Sequence, residues 1–310
     1  MSITYGQPLE RAWARMKKAL FQPFSLGKWF TIGFSAWLAQ LADGGTGGGP
    51  GNIRGSWGRK DLDVSGLGEL PGRAWDWLMA NPLWTALIVT GIVLVIAIIL
   101  LLLWLSSRGR FVFLENVVRD EALITDPWRR HRRIGNSLFG WRVGFAVISL
   151  FFVLILAVLI FSTVLNMLQA DNNKAEYILF LVLEGVIFLL VVLVIAFISF
   201  YLKNFVVPIM YRYECGAMEG WRLFLQHFRA HFGHFILYAL FVFVLGLAVG
   251  FCVVLAGLLT CCIGLILLAV PFIGAVILLP VSYTYRALSV EYLAQFDAEL
   301  DLFSRVESAV

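Results

Sequence analysis

The chain has 310 residues, of which 60% are hydrophobic and 14% charged, with a net charge of +4 and a mean hydropathy of +0.85. Soluble domains run near half apolar and a quarter charged, so this composition excludes an ordinary soluble domain. Leu87 to Leu105 carries no charge at all, which also excludes buried helices of a large soluble protein and points to membrane spans.

Taken in chain order, the first element is an amphipathic helix. Leu9, Trp13, Met16 and Leu20 fall at helical spacing, with Glu10, Arg11, Arg15, Lys17 and Lys18 around them, the pattern of a helix lying in a membrane interface. The apolar run Phe24 to Ala42 follows. It is short and carries Lys28, Ser35 and Gln40; it is counted as a span because the repeat described below needs one there, although alone it would also suit a re-entrant or surface helix. A long polar segment, residues 43 to 82, opens on the run from Gly44 to Gly51, a flexible linker by composition. It has no Gly-Lys-Ser/Thr sequence that would make it a phosphate loop. It ends in Pro71 to Met79, where Trp75 and Trp77 mark a short interfacial helix. Leu83 to Leu105 then exceeds the roughly 20 residues that cross a hydrocarbon core.

A basic connector leads to Asp126, a natural N-cap, and Pro127, suited to the first helical position. The helix so opened carries Trp128 and Arg129, Arg130, His131, Arg132 and Arg133. Spans follow at Val143 to Leu165 and Tyr177 to Tyr201, joined by a short turn from Asn166 to Glu176. Trp221, Phe224, Leu225 and Phe228 then form a third amphipathic stripe with Arg222, His227, Arg229 and His231. The last spans are Phe232 to Gly257 and Cys261 to Tyr285, joined at Leu258 to Cys262. Short connections of this kind make tight antiparallel hairpins. In the tail, Leu293, Phe296, Leu300 and Phe303 alternate with Glu291, Asp297, Glu299 and Asp301, an acidic pattern suited to docking on the basic helices.

Trp13 to Phe24, Trp128 to Phe139 and Trp221 to Phe232 each place a Trp eleven residues before a Phe, with basic residues or His between. Each then enters an apolar run. The expected fold is therefore an all-α integral membrane protein with six transmembrane helices, built as three repeats of an amphipathic interface helix plus a two-span hairpin. The repeats cover residues 1–105, 106–206 and 207–285, and residues 286–310 form a cytoplasmic amphipathic tail. Placing both termini and the two long connectors on one side gathers 19 of the 24 Lys and Arg residues there and leaves Arg54, Arg59, Lys60, Arg73 and Lys174 on the other. By the positive-inside rule both termini are cytoplasmic. The N-terminal helix is charged along its length and has no small-residue cleavage site, so it does not read as a secretory signal.

Motifs that carry chemistry are few. Cys215, Cys252, Cys261 and Cys262 lack Cys-x-x-Cys spacing and read as small packing residues. His227 and His231 have the i, i+4 spacing of a zinc pair but no third ligand is evident, so neither metal nor cofactor is expected. No Ser/His/Asp set and no pair of intramembrane carboxylates is present. Glu184 stands apart. It lies about seven residues inside Tyr177 to Tyr201, where a charge costs on the order of 3 kcal/mol, so it should face protein. It is either a site for a cation, proton or polar substrate, or a neutral Glu hydrogen-bonded to a neighbouring helix. Gly246 and Gly250 form a small-xxx-small pair that permits close helix contact.

The triple layout, the connector SRGRFVFLENVV (residues 107–118) and the segment DPWRRHRRIGNSLFGWRVGF (residues 126–145) resemble bacterial multi-span membrane families of unknown function. They are also similar to the membrane domain attached to some glycerophosphoryl diester phosphodiesterases. The resemblance implies the bacterial inner membrane. The catalytic barrel of those enzymes and its acidic metal-binding residues have no counterpart here, so it implies no activity. The expected function is a non-enzymatic membrane scaffold or accessory protein. Its cytoplasmic collar would bind anionic lipid headgroups or a protein partner through Arg129, Arg130, Arg132, Arg133, Trp13, Trp128 and Trp221, with no nucleic acid involved. The other expectation is a transporter or lipid-handling protein with a passage between repeats near Glu184; an enzyme acting on lipid headgroups is a third. The orientation is tested by labelling intact cells with a membrane-impermeant thiol reagent: a Cys at Thr46 should react, a Cys at Arg130 should not, and the reverse pattern overturns it.

Overall fold

In the computed structural model of the chain, residues 3–43, 70–169, 174–260 and 263–307 are described. The glycine run, Cys261, Cys262 and the middle of the turn after residue 169 lie outside them. The described residues form helices and turns, with no strand among them. In order these are α1 (Gly6–Phe21), α2 (Leu26–Gln40), α3 (Leu70–Ala80), α4 (Pro82–Arg119), α5 (Thr125–Arg130), α6 (Arg132–Gln169) and α7 (Lys174–Tyr201). A π-helical turn (Leu202–Val206) leads to α8 (Val207–Tyr213), α9 (Ala217–Ala230), α10 (Phe232–Leu259), α11 (Ile263–Ala269), α12 (Pro271–Ile277) and α13 (Leu279–Leu293). A 3₁₀ turn (Ala298–Leu300) and α14 (Leu302–Glu307) complete the series.

Among the described residues, four helices are long and apolar enough to cross a membrane: Pro82–Arg119, Arg132–Gln169, Lys174–Tyr213 and Phe232–Leu259. Their most apolar stretches are almost wholly uncovered by protein, an apolar surface far larger than water tolerates. The two further spans expected from the sequence do not form continuous helices of that length. The 15 residues of α2 rise about 22 Å at 1.5 Å each. The run Cys261 to Tyr285 is broken into α11, α12 and α13 at Val270 and Leu278. Both breaks fall next to prolines, Pro271 and Pro280, which have no N–H with which to extend the preceding helix and suit the first turn of a new one. Pro280 leaves the Val276 carbonyl without its usual donor four residues on. The Trp29 Nε1–H of α2 donates to that oxygen at 3.0 Å.

The chain divides into two compact units. One comprises Asn52–Leu101 and Arg142–Phe200 and so holds the membrane-crossing parts of α4, α6 and α7. The other comprises Met1–Gly51, Leu102–Trp141 and Tyr201–Val310. Three segments build the core of the latter: Ser106 to Val118 at the end of α4, Phe205 to Met210 of the π turn and α8, and Tyr283 to Leu293 of α13. Nearly all of their residues are buried. An aromatic cluster of Tyr201, Phe205, Phe224, Phe235, Tyr238 and Tyr292 fills the space beside them, with Tyr238 stacked on Tyr292 at 4.3 Å. Two of its hydroxyls end on backbone carbonyls: Tyr201 donates to Phe235 O and Tyr292 to His234 O, as buried polar groups require.

Local readings of the sequence shift in three places. On α1 the buried face is Pro8, Ala12, Met16, Ala19 and Leu20, while Trp13 is half exposed with the Lys17 ammonium over its ring. The stripe is turned because Ala12 and Ala19 let the helix lie close on α13. The helix expected to be capped by Asp126 is capped at Ile124 and starts at Thr125, so Pro127 lies two positions further in, and it breaks at His131. On α9, Leu225 is exposed and Gly220 takes its place inward, seated against Met210 and Val206.

Gly109 shows how tightly the core is drawn. A Cβ there would stand 2.7–2.9 Å from Leu38 and the Ala39 nitrogen, backbone atoms included, so α2 and α4 touch main chain to main chain. Gly91, in the other unit, has no described atom within 4 Å of that position. Gly109→Ala is expected to lower stability by about 1–3 kcal/mol through overpacking, while Gly91→Ala leaves it unchanged or raises it slightly. Thermal unfolding of the two variants in detergent checks this, and equal melting points would refute the close contact.

Candidate functional site

The charged residues of the core are arranged as carboxylates ringed by cations from other elements. Glu115 of α4 has a side chain 3% exposed and receives Arg119 Nε at 3.1 Å, Arg130 Nη1 at 2.5 Å and His131 Nε2 at 2.5 Å. A buried carboxylate survives only if paired and hydrogen-bonded. This need explains the break at His131, since the chain must turn there for two consecutive residues to reach one carboxylate. Glu291 of α13, 7% exposed, takes Arg15 Nε at 2.7 Å and lies 3.9 Å from Arg11. These pairs and the Arg15 guanidinium over the Phe303 ring at 4.0 Å tie α1 to α13 and to the tail. Asp43, just past α2, binds Arg110 Nη2 at 2.5 Å and lies 3.9 Å from Lys203 Nζ. Arg286 of α13 donates to the Lys203 carbonyl at 2.8 Å. Burial, then the nearby Arg110 charge, lowers its guanidinium to about 10, still charged at neutral pH.

The residues singled out from the sequence separate into different environments. Arg129, Arg130, Arg132 and Arg133 are all exposed, and Arg130 also reaches Glu115 with one nitrogen. Trp128 meets Trp104 edge-on at 5.8 Å, and the Arg108 guanidinium lies over both rings, at 5.3 Å from the first and 4.3 Å from the second. Arg108 also donates two hydrogen bonds to Asn136 Oδ1. Trp221 stacks on Trp141 at 5.4 Å. Trp13 lines a cavity of about 370 Å³ with Leu9, Leu245, Val249, Val281 and Tyr285, a volume at the lower end of the range for small-molecule sites. Its lining is apolar apart from Glu10, Thr284 and the Tyr285 hydroxyl, which is buried with no hydrogen-bond partner among the described residues. Gly246 approaches that hydroxyl, so it is the contact point of the small-residue pair, while Gly250 meets no described atom.

Cys215 is buried and Cys252 exposed, both as free thiols; burial, then the Glu219 charge, pushes the Cys215 thiol up. Among the described residues no three His, Cys, Asp or Glu side chains gather as metal ligands. His231 instead closes α9, and its ring lies 5.2 Å from Phe296. Glu291, part of the acidic pattern suited to docking on basic helices, pairs with Arg15 of α1, whereas Asp43, Arg110, Glu115 and Arg286 were not singled out from the sequence. The available signal was their interruption of apolar helical runs, as in Phe111 to Val118.

Residues 6–298 match a family of unknown function, DUF7544, and the chain belongs to it. It is thus a helical membrane protein of an uncharacterised family. No curated protein and no solved structure matches the chain.

Glu184 accepts from the Thr163 hydroxyl of α6 at 2.9 Å through Oε1, while its Oε2 is buried without a hydrogen-bond partner among the described residues. The side chain is half-buried and turned toward a neighbouring helix. Glu184→Gln keeps the Thr163 contact and cannot ionise, so a stable, fully functional Gln variant beside a Glu184→Leu variant destabilised by about 1–3 kcal/mol marks a structural role. Loss of function in a stable Gln variant marks a charge-dependent one.

Proposed function

We propose that the chain is a non-enzymatic integral membrane protein, a scaffold or accessory component, whose cytoplasmic collar binds anionic lipid headgroups. The observation that carries this reading is the division of labour in residues 129–133. Arg130 and His131 both engage Glu115, whereas Arg129, Arg132 and Arg133 are exposed with no ion-pair partner among the described residues. Three such cations beside a membrane surface attract anionic lipid by roughly 1 kcal/mol each before screening. A core filled by aromatic rings and paired charges supports a rigid hub rather than an open passage. In this reading the chain crosses the bacterial inner membrane six times as three repeats, with both termini cytoplasmic. The incomplete crossings are α2 and the α11–α13 series, packed on each other through Gly33 and Val276. The likeness in layout to the membrane domain of glycerophosphoryl diester phosphodiesterases fits here without their chemistry. The second reading, a transporter or lipid-handling protein with a passage near Glu184, rests on the Glu184 Oε2 that no described donor reaches.

Replacing Arg129, Arg132 and Arg133 together by Gln is expected to reduce co-purified anionic lipid several-fold and leave the melting point unchanged. Arg130→Gln should do the opposite, lowering stability through Glu115 while retaining lipid. Lipid analysis and thermal unfolding of the two variants decide it; unchanged lipid retention in the triple variant would reduce the exposed arginines to a topology signal.

A further inference from the structure

Arg110 and Arg286 come from α4 and α13 and are only 4% and 5% exposed. One nitrogen of Arg110 reaches Asp43, but its Nε and Nη1 are buried and have no hydrogen-bond partner among the described residues. Arg286 leans on the Lys203 carbonyl, and the Lys203 ammonium lies 3.9 Å from Asp43. Arg110 and Lys203 therefore flank one carboxylate, and Arg286 lies near enough for the charges of Arg110 and Asp43 to act on it. Leaving buried donors of a charged group empty costs more than the roughly 1–3 kcal/mol of a neutral one, and guanidinium groups do not relieve this by losing a proton. The cluster is not sealed: the side chains of Asp43 and Lys203 are 21% and 44% exposed, so a small anion can approach from their side. The carboxylate of Glu115 in the same unit shows what balance looks like, with Arg119, Arg130 and His131 all turned to its two oxygens.

We propose that Arg110, Arg286 and Lys203 form a binding site for a phosphate-type oxyanion, presented either by a lipid headgroup or as free phosphate, with the Nε–H and Nη1–H of Arg110 as its direct donors. An anion with several acceptor oxygens fills donors that a single carboxylate cannot, and charge-assisted hydrogen bonds of this kind are roughly twice as strong as neutral ones. Asp43 competes with the ligand for the same cations and holds them in place when the ligand is absent. The site is separate from the exposed arginines at residues 129–133 and does not depend on their binding lipid.

The test uses the full chain, delipidated in detergent. Inorganic phosphate is titrated while thermal unfolding is followed, with chloride at matched ionic strength as control. Phosphatidylglycerol is compared with diacylglycerol of the same chains by native mass spectrometry. Phosphate or phosphatidylglycerol should stabilise or bind the wild type in preference to its control, Arg110→Gln should weaken this at least tenfold, and Asp43→Asn should strengthen it several-fold. Lys174→Gln, at an exposed cation outside both groups of arginines, should leave it unchanged. A response to inorganic phosphate identifies a free anion as sufficient; binding of phosphatidylglycerol with phosphate inert identifies the headgroup. If Arg110→Gln does not fold, Arg110→Lys, which keeps the charge but loses the guanidinium donors, takes its place with the same expectation. Equal anion binding by wild type and the Arg110 variant, or an Asp43→Asn variant that loses stability without gaining anion affinity, overturns the proposal and leaves an ion cluster that only holds α2, α4 and α13 together.

Discussion

Glu115 is the charge on which the folded unit turns. It sits near the end of α4, within the stretch Ser106 to Val118 that the protein buries, where an isolated carboxylate would be driven to neutrality. Its three partners, Arg119, Arg130 and His131, come from its own helix and from the segment that follows, so the carboxylate fixes where α4 ends, how the loop returns and where α5 must break. Asn116 beside it accepts from the Leu123 N–H and donates to Ser35, closing the same loop onto α2. The break at His131 is thus a consequence of charge pairing rather than of local helix preference.

The same constraint recurs at Glu291 and Asp43. In each case a carboxylate on one element collects cations from others, and the pairs join segments that are distant in sequence, residue 15 to 291 and residue 43 to 110. Apolar burial alone is non-directional. Helices whose outer faces suit lipid as well as protein gain little specificity from it, and the ion pairs with their fixed geometry supply the register. Removing one partner of such a pair costs several kcal/mol because the other charge stays buried.

What the sequence revealed and what it hid follow from the same physics. Long uncharged runs are legible because no other solvent than lipid suits them, and α4, α6, α7 and α10 lie where those runs predict. Pro271 and Pro280 were visible inside the last run, yet hydropathy averages over them, and the run reads as one helix. The Trp to Phe spacing coincides with α1 and α9, but its second copy falls across the break between α5 and α6, and on α1 Trp13 yields the contact face to Ala12 and Met16, since small residues allow closer packing than a ring. The clusters at Glu115 and Asp43 were illegible because each is built from residues that pair only after folding, whereas Glu291 showed itself through the acidic pattern of its segment. A positive-inside count treats Arg110, Arg130 and Arg286 as equivalent to Arg129, although the fold buries or engages the first three and leaves the last in solvent.

That distinction changes what the basic residues of this chain mean. An exposed arginine beside a membrane is a solvated cation with a modest, salt-screened attraction to anionic lipid. A buried arginine has already given up its hydration, so its free donors bind an anion without a further desolvation cost on the protein side. Arg129, Arg132 and Arg133 are of the first kind and Arg110 is of the second. Surface attraction of the first kind depends on salt and on the density of anionic lipid, whereas a buried cluster discriminates by the number and placement of acceptor oxygens. Both kinds of arginine lie in one unit of the chain, and burial alone separates a solvated cation from one that holds its donors inside the protein.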